Sequence, residues 1–186
     1  MEAATPDNAE FQDALTTTFE KLLELRSRPK EVTRWSDYWF EAQGLFAYEV
    51  FLYIVAALLK TSAFSTLHEV FTSVYLRPET DSYGGDNHFV NFTEFWAYSG
   101  TLNPLLAPEG RRLLSPAAEL IKRQATRTDI SFEAIMEAEL LVMLAATLGE
   151  NSRWYPQTLF YAGYGRVFPF FLRATQHKHF IVVPQL

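Results

Sequence analysis

The chain has 186 residues, 48% hydrophobic and 16% aromatic, with 16 Lys and Arg against 22 Asp and Glu, for a net charge of −6. That is the size of one domain, or one domain with an arm. It has enough apolar side chains to bury a core and is too aromatic to be disordered. The acidic balance argues against broad electrostatic binding to nucleic acid, and the lack of cysteine excludes disulfides, zinc ribbons and thiol catalysis.

The N-terminal "MEAATPDNAE" is acidic and polar, unlike a secretory or mitochondrial leader. Together with the missing cysteine, this makes the cytoplasm the expected compartment. Asp7 and Asn8 can cap a first helix, whose Phe11, Leu15, Phe19, Leu22, Leu23 and Leu25 recur at three and four; Pro29 closes it. Residues 1–28 read as an N-terminal helical arm and 35–186 as a helical domain. Ser36 and Asp37 start a second helix that runs to Lys60 and carries the most apolar window of the chain, "YEVFLYIVAALLK". A bilayer span needs about 20 apolar residues, and the 18 from Ala42 to Leu59 include Gln43 and Glu49. A central buried helix is the reading preferred over a membrane span, with Glu49 near a helix surface or paired with an arginine.

"SAFSTLHEVFTSVYLRP" predicts a third helix stopped by Pro78, and "ETDSYGGDNH" is turn chemistry. Thr93 is expected to cap a short helix, "TEFWAYSGTLN". Asn91 opens an "NFT" glycosylation match that is read as chance. Ser115-Pro116 is an N-cap followed by proline at the first helical position. Ser131 opens "FEAIMEAELLVMLAATLG", which Gly149 ends. Short helices are expected in "PQTLFYAG", "VFPFFLRATQ" and the apolar terminus "HFIVVPQL", whose abrupt end suggests a part of a longer chain. The sum is an all-α fold: an irregular bundle of about seven to nine helices around a central apolar helix at residues 36–60.

Few of these residues form a chemical signature. No Walker-type phosphate loop or "GxSxG" elbow is present, and "GYGRVF" lacks the third glycine of a dinucleotide fingerprint. His68, His88, His177 and His179 have no metal-ligand spacing, so neither a metal nor a cofactor is expected. Glu133, Glu137 and Glu139 share one helix and read as a solvated or ion-paired face rather than an acid–base pair. Arg111, Arg112, Lys122, Arg123 and Arg127 read as a solvated basic face. Tyr38, Trp39, Phe40 and the aromatics of "RWYPQTLFYAGYGR" read as packing residues in preference to base- or sugar-stacking ones. Arg173 and His179, spaced R-x5-H, resemble the active site of HEPN ribonucleases, where His moves protons and Arg holds phosphate. Against this, Ala174 stands where those enzymes usually carry a polar residue, and apolar "FIVV" follows His179 at once.

Several blocks taken in order carry a second resemblance: "FAYEVFLYIVAALLK", "FTEFWAYSGTLN", "RRLLSPAAELIKRQA", "ISFEAIMEAELLVML", "RWYPQTLFYAG" and "PFFLRATQHKHF". Over roughly residues 40–186 they resemble the C-terminal helical region of bacterial modular proteins whose N-terminal part is a TIR or SEFIR domain. The resemblance implies a non-catalytic interaction or regulatory module in signalling or anti-phage defence. Its implied partner is a protein, through self-association or an effector domain, with no membrane role. The alternative is a HEPN-like ribonuclease using Arg173 and His179.

Overall fold

The computed structural model describes residues 9–27, 36–78, 88–100, 105–106, 113–126, 128–149, 154–162 and 168. Five α-helices lie among them: α1 (Ala9–Leu25), α2 (Glu41–Lys60), α3 (Phe64–Thr72), α4 (Pro116–Ala125) and α5 (Phe132–Leu148). Three 3-10 turns (Asp37–Phe40, Phe92–Phe95 and Thr158–Tyr161) and a two-stranded antiparallel sheet, β1 (Tyr75–Arg77) with β2 (His88–Val90), complete the described elements. The fold is thus mostly helical, as the periodicity implied. It has fewer α-helices among the described residues than the seven to nine expected, because several short helices are single 3-10 turns.

The second helix is central. Phe51, Leu52 and Val55 are fully buried, and α2 packs on α1, α3 and α5. It is long and apolar enough to cross a membrane, with 56% of its most apolar window buried inside the fold. Glu49 lies half-buried on it, and burial raises its carboxyl above the ordinary range. The helix ends in a Schellman arrangement: Ser62 N–H donates to Leu59 O at 3.1 Å and Ala63 N–H to Leu58 O at 2.9 Å. Ser62, not glycine, takes the left-handed position at φ 57°.

Aromatic rings fill the space between α2 and its neighbours. Phe51 stacks on Phe95 at 4.6 Å, and Phe19 of α1 meets Phe95 at 5.1 Å and Tyr75 edge-on at 5.5 Å. The first helix, expected as an arm, therefore supplies Phe19 and Leu23 to this common core. The third helix stops at Thr72, short of Pro78, so "VYLR" is not helical. Tyr75 instead enters the aromatic cluster and donates its hydroxyl to Val70 O at 2.8 Å, near the helix end. The backbone then pairs as a strand, with Leu76 opposite Phe89. On its other side Leu76 N–H donates to Glu20 Oε1 at 3.0 Å, so a side chain occupies that edge of β1. The predicted caps at Ser115 and Ser131 accept from Ala118 N–H and Ala134 N–H, each at 3.2 Å. The expected cap at Thr93 belongs to Asn91, whose Oδ1 accepts from Thr93 N–H at 3.0 Å and Thr93 Oγ1 at 2.6 Å. The expected helices at 169–186 lie outside the described residues.

Two stability outcomes follow from α2. Ser62→Gly removes the left-handed strain of an L side chain and is expected to raise stability by about 0.5–1 kcal/mol in urea titration, after the entropy cost of glycine. Leu52→Ala is expected to cost about 2–5 kcal/mol, while a loss under 1 kcal/mol would contradict its place in the core.

Candidate functional site

Glu139 sits on the inward face of α5, fully buried. Ile135 and Met136 lie four and three residues before it, Val142 and Ala146 three and seven after, and all four are buried. Its carboxylate has no cationic partner among the described residues. Oε1 accepts from the Tyr48 hydroxyl of α2 and from Gln157 N–H at 2.9 Å. Oε2 accepts from Thr158 N–H at 2.7 Å and Thr158 Oγ1 at 2.5 Å. Four donors therefore surround one carboxylate, two on each oxygen, and two of them are backbone groups at the entry to the last 3-10 turn.

Gln157 carries the connection outward. Its Nε2 donates to Ala97 O at 2.6 Å, and its Oε1 accepts from Ser115 Oγ at 3.3 Å. One glutamate and one glutamine thus fasten three otherwise irregular segments, around residues 96–99, 113–116 and 154–162, onto α2 and α5. Above Gln157 these segments form a groove of about 230 Å³. Its walls include Trp96, Tyr98, Leu114, Tyr155 and Phe160. Tyr98, Tyr155 and Phe160 are 60–66% exposed and Leu114 is 72% exposed. The indole of Trp96 is fixed by donation from Nε1 to Tyr155 O at 2.9 Å. Arg26 Nη2 donates to Trp96 O at 3.2 Å, and Ser99 Oγ donates to Glu41 Oε2 at 2.8 Å.

The solvated-face reading of the three acids holds for Glu133, which is exposed, but fails for Glu139. The signal was present: Glu139 continues the apolar three-and-four pattern of α5. The aromatic-rich "RWYPQTLFYAGYGR" divides: Trp154 is buried between Tyr48 and Phe51, each 5.7 Å away, whereas Tyr155 and Phe160 line the groove. Of the basic face, Arg123 pairs with Glu119 at 3.8 Å and Lys122 lies 5.3 Å over the Tyr161 ring; Arg111, Arg112 and Arg127 lie outside the described residues. So do Arg173, His177 and His179. His68 and His88 are both exposed, and no three acids or histidines converge as metal ligands among the described residues. Comparison with family models, with curated proteins and with solved structures finds no match to this chain.

The Tyr48 hydroxyl is pushed well above its ordinary value of 10, first by burial and then by the charge of Glu139. Tyr75 is raised too, by burial and then by Glu69. The folded chain keeps these protons after the unfolded chain has released them, so stability is present below about pH 10 and falls as pH rises beyond it. Each tyrosine can contribute a slope of up to about 1.4 kcal/mol per pH unit. Tyr48→Phe is expected to cost about 1–3 kcal/mol at pH 7 and to flatten the alkaline fall by about one proton. Urea midpoints measured across that range check this; an unchanged slope would contradict it.

Proposed function

We propose that this chain is a non-catalytic helical interaction or regulatory module, the helical part of a bacterial signalling or anti-phage defence effector acting in the cytoplasm. Its partner is a protein: a second copy of itself or an effector domain. The observation that carries the reading is the aromatic groove. Surface aromatics held in fixed orientation lose little conformational entropy on binding, and Trp and Tyr are enriched among residues that dominate protein interfaces. Here the orientation comes from beneath, through Gln157 and Glu139.

The family resemblance points the same way. Five of its blocks supply Tyr48, Trp96, Ser115, Glu139 and Gln157, which together hold or line the groove. Glu139 is an unpromising general acid or base, because both oxygens are occupied by internal donors and the side chain is closed to solvent.

Light scattering over a concentration series is the test. The mass of the wild-type chain is expected to rise with concentration, and Leu114→Asp is expected to hold it at the monomer without changing the far-UV circular dichroism. The wild type is also expected to leave mixed RNA intact. RNA cleavage that disappears in an Arg173→Ala, His179→Ala double variant would overturn the module reading in favour of a ribonuclease.

A further inference from the structure

The groove contains a slot of defined width. Trp96 and Tyr98 are two residues apart, and Trp96 has extended dihedral angles of φ −59° and ψ 131°. Side chains at i and i+2 of an extended chain stand on the same side, about 6.6 Å apart. Their rings are nearly parallel, 9° between planes, with centroids 6.4 Å apart. Tyr155 closes one side at 6.0 Å from Trp96 and 68° to it.

A planar group stacked between two ring faces needs about 7 Å between them. Tyr98, 60% exposed, has room to open by the remainder. A tetrahedral alkylammonium head is thicker and needs a wider box. The slot therefore selects a flat group.

Charge selects among flat groups. Ala97, at the base of the slot, is bonded to Gln157, whose own N–H is bonded to the Glu139 carboxylate. Ser99, next to Tyr98, is bonded to the Glu41 carboxylate. The cation bonded to this segment among the described residues is Arg26, on Trp96 O. The positive N-terminal end of α4 on the opposite wall is capped by Ser115 Oγ and carries Glu119 in its first turn. Two carboxylates against one guanidinium, beneath the negative faces of aromatic rings, favour a cation.

We propose that the slot between Trp96 and Tyr98 receives the guanidinium of an arginine side chain from a protein partner. The apolar walls at Leu114, Pro156 and Phe160 extend the groove beyond the slot and suit the residues flanking that arginine. The inference rests on the interaction-module reading but fails separately from it, since the light-scattering result does not depend on any arginine probe.

The test titrates the whole chain with Nα-acetyl-arginine amide and follows the indole N–H resonance of Trp96, assigned from its loss in Trp96→Phe. The citrulline amide, flat but neutral, and the lysine amide, charged but not flat, are titrated alongside. Arginine is expected to give a saturable shift and to bind about threefold to fivefold more tightly than either analogue. Tyr98→Ala is expected to abolish that preference, and Tyr98→Phe, which keeps the ring, to retain it. Equal affinity for citrulline or lysine, a preference unchanged in Tyr98→Ala, or no saturable shift with arginine would each overturn the proposal.

Discussion

A carboxylate without a counter-cation among the described residues, buried between two apolar helices, is the constraint on which the rest depends. Burying a lone carboxylate is costly unless its oxygens are met by donors. Glu139 is met by four, from Tyr48, Gln157 and Thr158. Each is a requirement on the chain. Tyr48 must face α5, which fixes how α2 rotates against it. Gln157 and Thr158 must present their N–H groups inward, which fixes a segment that lacks the hydrogen-bond ladder of a helix or strand. Hydrophobic burial of Phe51, Leu52 and Val55 makes α2 central, but non-directional burial alone leaves its rotation loosely specified. The polar bonds supply the direction.

The same bonds relate core to surface. Gln157 takes its backbone bond from the core carboxylate and gives its side-chain bond to Ala97 in the groove base. Any change that moves Glu139 must therefore move the slot between Trp96 and Tyr98 or break a buried hydrogen bond. The groove is in this sense an outward copy of a core arrangement, and its aromatic rings sit on a base more rigid than their exposure suggests.

The helices were legible in the sequence where apolar spacing was regular and caps were explicit. Ser115-Pro116 and Ser131 mark the starts of α4 and α5 because a hydroxyl acceptor and a pre-set proline act locally. The end of α3 was not legible, because what stops it is tertiary: Tyr75 gains more by entering the cluster of Phe19 and Phe95 than by completing another turn. Glu139 was legible by position but not by type. Its spacing from Ile135 and Val142 placed it inward, while its charge argued outward. The donors that resolve the conflict come from 18 and 91 residues away. The groove was legible only as an excess of aromatics, since local sequence does not tell which of Trp154 and Tyr155 turns in.

Amide hydrogen exchange on the native chain tests the central role of Glu139 most directly. Gln157 and Thr158 lie at the entry to a 3-10 turn, where backbone N–H groups ordinarily exchange as in a loop. If both amides are held by a buried carboxylate, their protection should match that of the interior amides of α5. Exchange at 157 and 158 as fast as in an open loop, with α5 still protected, would contradict the anchoring role assigned to Glu139.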